Sequence, residues 1–267
     1  MTGFSAAWLA LREPYDTRAR NREVLDALAA STGKRSSVTV VDLACGAGST
    51  VRALGSRLPI QQMWRLVDHD AALIERVSPP LPDQRLAPSV LDIAGSLEEV
   101  FADPADLLTA SALLDLVSED WLERLVAQCA ARRLPFYAAL TYDGRVSFEP
   151  AEAFDAEMVE AVNRHQRRDK GFGPALGPTA SSNAIARFEA LGWAVVTGPS
   201  DWAFGPEDAA IQGEFLAGWE AAASEMGDLP RADVQRWLER RRAHVSQRRS
   251  SIRVGHVDFF ASPIGAR

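Results

Sequence analysis

Apolar residues follow two patterns along this chain. Short unbroken apolar runs, typical of buried strands, alternate with longer stretches in which apolar residues recur at helical spacing. The runs predict strands at 38–43, 63–67, 85–91, 106–109 and 134–142. The helical spacing predicts helices at 49–58, 71–77, 181–191, 208–226 and 232–249, and further helices after Ser118 and around Met158. The alternation favours an α/β fold.

Local signals set the ends of several elements. At the N-terminus we expect a helix from Phe4 to Leu11 that stops at Pro14, and a second helix from Arg18 to about Ala30 with Asp16 or Thr17 as its N-cap. The other signals predict N-caps at Ser49, Asp70 and Ser118, an edge strand at Pro88, and a turn at Asp143-Gly144.

Composition narrows the class of protein. The chain has 267 residues, and its 47% hydrophobic content is ample for the core of one sizeable domain. We find no apolar run of about 18 residues, no secretory signal, and only two cysteines, Cys45 and Cys129, outside any metal-type spacing. We therefore expect a reduced, cytoplasmic protein with no membrane partner and no metal.

Charge is unevenly distributed. The net charge of −7 argues against a wide nucleic-acid surface, yet arginines cluster at 236–249 and basic residues at 164–170. These clusters are typical of solvated helix faces. The alternative is that they attract an anionic substrate.

The stretch VTVVDLACGAGST at 38–50 changes from strand to glycine turn to helix. Gly46 and Gly48 have no Cβ, so that backbone N–H groups of the turn can approach a ligand closely. An ordinary βα turn would look the same. The dinucleotide-binding pattern G-x-G-x-x-G fits poorly, because its third glycine would stand at Val51.

A strand that ends in an acid and is followed by this turn resembles the first motif of the class I S-adenosylmethionine (SAM) dependent methyltransferases, D/E-x-G-x-G-x-G. The motif stands here as Asp42, Ala44, Gly46 and Gly48, with Ala44 in place of the first glycine. The resemblance implies a seven-stranded Rossmann-like sheet of order 3-2-1-4-5-7-6 with helices on both faces. Residues 193–197 and 252–261 resemble its sixth and seventh strands. The implied methyl donor is SAM, and the product is S-adenosylhomocysteine (SAH).

The resemblance also implies roles for single residues. Asp68, in LVDHD at the end of the second strand, matches the acid that binds the ribose hydroxyls. Asp92 and Ile93 match the positions that contact the adenine, although Asp92 alone would also suit a turn. The candidate cofactor-binding residues are Asp42, Ala44, Gly46, Gly48, Asp68, His69, Asp92, Ile93, Ser111 and Arg20.

For the acceptor, the sequence is less specific. His165 is the preferred general base because its ordinary pKa lies near neutrality, although a structural histidine fits equally well. Tyr142 is the second catalytic candidate. The substrate-binding candidates are Tyr15, Asn163, Gln166, Lys170 and Trp202. The TASALLD loop after the fourth strand lacks the D/N-P-P-Y/F and Pro-Cys motifs, which disfavours methylation of adenine or glutamine amino groups and of cytosine C5.

We therefore expect a single methyltransferase domain over 1–267. It comprises an N-terminal helical lid at 1–33, a SAM-binding core at 34–150, and substrate-facing helical additions at 151–192 and 206–250. The chain resembles bacterial methyltransferases that act on an O or N atom of a small molecule. Three alternatives remain open: an RNA methyltransferase that docks through the C-terminal arginine helix, a nicotinamide-dependent oxidoreductase, and a non-catalytic SAM-fold partner protein.

Overall fold

The computed structural model describes residues 5–265. Within them one mixed sheet has eight strands: β1 Ser37–Leu43, β2 Gln61–Asp68, β3 Gln84–Val90, β4 Leu107–Ser111, β5 Phe136–Glu149, β6 Trp193–Pro199, β7 Trp202–Phe204 and β8 Ser251–Pro263. Their order is β3-β2-β1-β4-β5-β8-β6, and β7 pairs with β8. Strands β1 to β5 run parallel, and β8 is antiparallel to β5 and β6. The predicted order is confirmed, with the short β7 as an addition.

Helices cover both faces of the sheet. They are α1 Ala6–Ala19, α2 Arg22–Thr32, α3 Ser49–Leu54, α4 Ala71–Ile74, α5 Glu119–Arg132, α6 Asp155–Gln166, α7 Ala180–Ala190, α8 Ala209–Met226 and α9 Arg231–Ser246. Alternation along β1 divides the core, because successive strand side chains point to opposite faces. Val38 and Val40 pack with α2 and α3, whereas Val41 and Leu43 pack with α5 and α7.

A third core lies where β5 and β8 extend beyond the parallel strands. It is rich in aromatic side chains and joins α6, α8 and α9 to this extension, with Phe148 packed against both Trp219 and Trp237. The helices between β7 and β8 therefore share a core with the sheet. None of the helices within residues 5–265 is long and apolar enough to cross a membrane.

The predicted break at Pro14 is wrong. Helix α1 runs from Ala6 through Pro14 to Ala19, and Phe4 lies outside the described residues. Asp16 is inside the helix, where it accepts hydrogen bonds from Arg12 and from the indole of Trp202. The tertiary contact with Trp202 holds the helix past the proline. Helix α2 is capped instead by Asn21, whose side chain accepts from the N–H of Val24.

The structure also differs from two other predictions, one about the ends of α3 and one about the end of β5. Gly48, in the left-handed region at φ 82°, is the N-cap of α3 in place of Ser49, and α3 ends at Leu54. The chain does not turn at Asp143-Gly144, because β5 continues to Glu149 through an irregularity in its pairing with β8. The caps at Asp70 and Ser118 are confirmed, as is the position of the Pro88 strand at the sheet edge.

Candidate functional site

A cavity of about 840 Å³ opens at the carboxyl ends of β1, β2, β4 and β5. In open α/β sheets this edge is where ligands bind. Helix α1 passes over the glycine turn, with Leu9 facing Gly46 and five of its residues lining the cavity: Trp8, Leu9, Arg12, Glu13 and Asp16. One half of the cavity faces the glycine turn, and the other half faces α6 and α8.

The glycine turn has an unusual backbone. Ala44, Gly46 and Gly48 all have positive φ, at 49°, 52° and 82°. The N–H of Cys45 donates to the carbonyl of Val67, which ties the turn to β2. Ala44 and Gly46 therefore line the cavity wall with backbone in the left-handed region, whereas Gly48 lies outside that wall.

Asp68 joins the ends of β1 and β2. Its carboxylate accepts from the N–H of Gly46 at 2.8 Å through Oδ2 and from the N–H of Asp70 at 3.0 Å through Oδ1. The exposed His69 lies beside it, with Nδ1 at 3.4 Å from Oδ1. Each carboxylate oxygen can accept a second hydrogen bond. Asp68 therefore faces the cavity in a fixed orientation with capacity for two ligand hydroxyls.

Asp92 and Ile93 also line this half of the cavity. The Asp92 carboxylate accepts from the N–H of Ala94 at 3.0 Å, so the turn that the sequence suggested is present at the cavity wall. Ile93 is buried, and its carbonyl accepts from the indole of Trp121 at 2.7 Å. The loop is thus anchored to α5.

Asp42 lies behind the turn and is fully buried. Its Oδ1 accepts from the hydroxyl of Thr109 at 2.7 Å, whereas Oδ2 has no hydrogen-bond partner among residues 5–265. Burial raises the pKa of Asp42 to about 7. Thr50, which lines the cavity, lies close to this carboxylate. Asp42 therefore acts on the site through its neighbours.

Arg20 is also placed behind the wall. Its guanidinium donates to the hydroxyl of Tyr137 at 3.1 Å and to the hydroxyl of Ser111 at 3.3 Å. Ser111 lines the cavity and Arg20 does not. The arginine ties the segment after α1 to β4 and β5, which fixes the position of α1 over the cavity.

The second half of the cavity is aromatic. Its apolar walls are Trp8, Tyr142, Phe172, Trp202, Phe215 and Trp219. Trp202 donates its indole N–H to Asp16 at 2.8 Å, and the Arg12 guanidinium lies 5.3 Å from the Trp202 ring centroid. Tyr15 lies outside this wall, where its hydroxyl donates to Asp208 at 2.6 Å and its ring packs on Phe204.

Tyr142 and Asn163 form a pair. The Tyr142 hydroxyl donates to Asn163 Oδ1 at 2.8 Å, and Asn163 donates to the carbonyl of Gly144 at 3.0 Å. Burial raises the pKa of the Tyr142 phenol. Asn163 therefore lies behind Tyr142 and orients it, and the phenol faces the cavity as a neutral group.

His165 lies on the cavity wall together with Gln166 and Lys170. Both of its ring nitrogens are engaged: Nε2 is 3.0 Å from Glu225 Oε2, and Nδ1 is 3.2 Å from the ammonium of Lys170. Burial lowers the pKa of Lys170. Before Nδ1 of His165 could accept a proton from a substrate, its hydrogen bond from Lys170 would have to break.

Sequence reasoning missed two titratable residues on this wall. Asp115 is 6% exposed, its Oδ1 has no hydrogen-bond partner among residues 5–265, and burial raises its pKa to about 6. His256 on β8 is also buried, donates from Nδ1 to the carbonyl of Val254 at 3.0 Å, and has a pKa lowered by burial to about 3. Asp115 was missed because its neighbours in ALLDLV are apolar, and such a run is typical of the hydrophobic core.

Comparison with known proteins bears on the fold. The structure is similar to a cyclopropane-fatty-acyl-phospholipid synthase-like protein from Lactobacillus casei, with a TM-score of 0.52, 12% identity, and coverage of 93% of this chain and 98% of that chain. That similarity and the strand order decide the fold. The chain has the class I methyltransferase fold.

Two other solved structures match with lower TM-scores. A SAM-dependent methyltransferase from Thiobacillus denitrificans, solved in complex with SAH, has a TM-score of 0.43 and 14% identity over 98% of this chain and 100% of that chain. The cyclopropane synthase MmaA2 from Mycobacterium tuberculosis has a TM-score of 0.45 and 12% identity over 89% of this chain and 82% of that chain. No protein-family model and no curated protein matches the sequence.

Proposed function

We propose that the chain is a SAM-dependent methyltransferase that transfers the methyl group to an O or N atom of a small molecule. The observation that carries this proposal is the carboxylate of Asp68, fixed by the N–H of Gly46 at the edge of a large cavity. A carboxylate in this position suits the two hydroxyls of a ribose. A cavity of about 840 Å³ has room for a nucleoside donor and an acceptor together.

In this proposal the glycine-turn half of the cavity holds the donor. Asp68 would bind the ribose, with His69 at its edge, and Asp92 and Ile93 would bind the adenine. Ala44, Gly46 and Ser111 would contact the methionine end. Asp42, Gly48 and Arg20 would support that half from behind. SAM supplies an electrophilic methyl group, so that the protein has to align the acceptor and exclude water.

The aromatic half would hold the acceptor. Tyr142 and Trp202 supply apolar walls, each fixed by one hydrogen bond from its polar atom. His165, Gln166 and Lys170 supply polar atoms at the opposite side of the cavity. Tyr15 and Asn163 would act indirectly, by holding α1 and Tyr142 in place.

The contacts of α9 do not favour the RNA alternative. Its arginines are largely paired with acids: Arg236 with Asp233, Arg240 with Glu152, and Arg241 with Asp155. Arg241 is fully buried, where it also donates to the carbonyl of Pro150. These side chains stabilise the third core and its rim, and the pairs present little net positive charge to a phosphate backbone.

The proposal is tested by titration calorimetry of the purified chain with SAM, SAH and NADH. We expect saturable binding of SAM and SAH, and SAH affinity at least about tenfold weaker in Asp68→Ala, because a charged hydrogen-bond acceptor is lost. Asp103→Ala removes an exposed carboxylate elsewhere and should leave affinity unchanged. Failure to bind SAM and SAH, or binding indifferent to Asp68, would exclude the proposal, and NADH binding would favour the oxidoreductase.

A further inference from the structure

Two buried acids, Asp16 and Asp115, line the cavity outside its donor half. Asp16 accepts hydrogen bonds from Arg12 and Trp202, whereas within residues 5–265 no such donor reaches the buried Oδ1 of Asp115.

Asp115 lies in the short helical turn Leu114–Leu116 after β4. This loop is held in place, because the N–H of Leu116 donates to the carbonyl of Leu113 and the N–H of Leu176 donates to the carbonyl of Val117. The backbone position of Asp115 is therefore set before any ligand binds.

The Asp115 carboxylate is poorly satisfied. Its Oδ1 is buried and lacks a hydrogen-bond partner within residues 5–265, and the residue lines the cavity. A buried polar atom without a partner is costly, and most such atoms in proteins are satisfied. A ligand that donates an O–H or N–H to the carboxylate from the cavity would offset part of this cost.

The charged and titratable groups around Asp115 are engaged elsewhere. On α1, Arg12 pairs with Asp16 at 2.8 Å. On α6 and the loop after it, His165 contacts Glu225 and Lys170. On β5 and β8, the Tyr142 hydroxyl donates to Asn163 and the His256 ring donates to Val254. The Asp115 carboxylate is thus left for a ligand.

Aromatic rings form much of the rest of the acceptor half. The rings of Trp8, Trp202, Phe215 and Trp219 line it, and Phe172 is held edge-on against Trp121. Aromatic walls with a few polar groups are typical of sites for flat apolar molecules whose orientation is fixed by one or two hydrogen bonds.

On the basis of the proposed methyl transfer, we infer that Asp115 binds the hydroxyl or amino group of the acceptor and receives its proton, and that the acceptor is an aromatic alcohol or amine rather than a carboxylate. As the acceptor O or N bonds to the methyl carbon, the carbon–sulfur bond breaks and its electron pair stays on sulfur. The acceptor proton passes to the carboxylate of Asp115 and leaves to water after product release.

Asp115 suits this step better than His165 does. The Nδ1 lone pair of His165 accepts from Lys170, and its Nε2 contacts a carboxylate, so no ring nitrogen is available to a ligand. Burial brings the pKa of Asp115 to about 6, close to the range in which a proton acceptor works at neutral pH. A carboxylate acceptor has no proton to give and would add a second negative charge beside Asp115.

Binding is tested with three probes of one shape, 2-naphthol, 2-naphthylmethylamine and 2-naphthoate, titrated into the chain in saturating SAH. We expect the naphthol and the amine to bind at least about tenfold more tightly than naphthoate. In Asp115→Asn the ratio of amine to naphthoate affinity should fall at least about tenfold. Lys170→Met, which removes a nearby cation, should raise that ratio.

Tighter binding of naphthoate, binding of none of the probes, or an unchanged ratio in a folded Asp115→Asn would overturn the inference. Proton transfer is tested by SAH formation from SAM with a panel of aromatic alcohols and amines. We expect turnover that falls at least about 100-fold in Asp115→Asn and less than about tenfold in His165→Gln. No turnover, or the reverse order of the two variants, would overturn the assignment of Asp115.

Different results would exclude the proposed methyltransferase function and the proposed role of Asp115. Loss of SAH binding in the wild-type chain would exclude the methyltransferase function itself. Retained SAH binding without the expected probe preference would exclude only the role of Asp115.

Discussion

Ala44 has a left-handed backbone, at φ 49°, where the chain leaves β1. A Cβ in this region costs about 1–2 kcal/mol, whereas glycine adopts it freely. We predict that Ala44→Gly raises the free energy of unfolding by about 0.5–1 kcal/mol, after allowance for the greater entropy of glycine in the unfolded chain. Urea denaturation measures the change.

Ala47 gives a matched control in the same turn. It is not among the residues with positive φ, so glycine there relieves no strain. Ala47→Gly should lower the free energy of unfolding by about 0.5–1 kcal/mol. Equal effects of the two substitutions would contradict this account of the turn.

The raised pKa of Asp42 predicts an unusual dependence of the free energy of unfolding on pH. Its pKa is about 7 in the folded chain, above the ordinary value of 3.8, so the folded state holds the proton more tightly than the unfolded state does. Stability from this group is therefore lost as pH rises through that interval. Between about pH 5.5 and about pH 8 the expected loss is about 2 kcal/mol.

Asp42→Asn should remove that part of the pH dependence, because the amide does not ionise. The measurement is urea denaturation of both chains at the two pH values, with Asp103→Ala as the control that keeps the wild-type slope. A variant whose stability falls with pH as steeply as that of the wild type would show that Asp42 does not titrate in this range.

At the scale of elements, the polar contacts of α1 with the rest of the site include a buried one and a partly exposed one. Asp16, 3% exposed, accepts from both Arg12 and Trp202 in the interior. Glu13 pairs with Arg52 on α3 at the partly exposed rim. Buried pairs are costly to break and exposed pairs are not, so the buried contact should dominate.

We predict that Asp16→Ala destabilises α1 by about 3–5 kcal/mol, since it leaves Arg12 buried and unpaired. Hydrogen exchange across Ala6–Ala19 should speed up accordingly. Arg52→Gln should change exchange in the same helix by less than about 1 kcal/mol. Similar exchange rates in the two variants would mean that the buried cluster does not hold α1 over the cavity.

For the whole molecule, the paired arginines predict weak interaction with nucleic acid. The chain carries a net charge of −7, and much of the positive charge on α9 is neutralised by neighbouring acids. We expect no saturable binding of a short RNA by fluorescence anisotropy at about 0.15 M salt. Tight binding that weakens steeply with salt would restore the RNA alternative.

The positions of the parallel strands were predictable because their sequence signals are local, whereas the strand order was implied by the resemblance that Asp42, Gly46 and Gly48 carry. The run at 38–43, the acid and glycines after it, and Pro88 at an edge each depend on a few neighbouring residues. The predictions of a helix break at Pro14 and a turn at Asp143-Gly144 were wrong because the structure there depends on distant residues. At both places contacts from distant segments, Trp202 to α1 and β8 to β5, override the local preference.

The site was predictable only in part. Asp68 is recognised from its place in the chain, and it lies at the cavity wall. Asp115 and His256 become visible only once burial and hydrogen-bond partners are known. Tyr15 and Asn163 looked like ligand contacts because they are polar and near the site, yet their side chains hydrogen-bond to Asp208, Tyr142 and Gly144.

The central claim is that the cavity at the carboxyl end of the sheet binds SAM beneath α1. A crystal structure of the chain grown with SAH tests it most directly. We predict the ribose hydroxyls on Asp68, the adenine beside Asp92 and Ile93, and the sulfur facing the aromatic half that contains Asp115. A structure in which SAH is bound elsewhere, or in which saturating SAH leaves this cavity without it, would contradict the account.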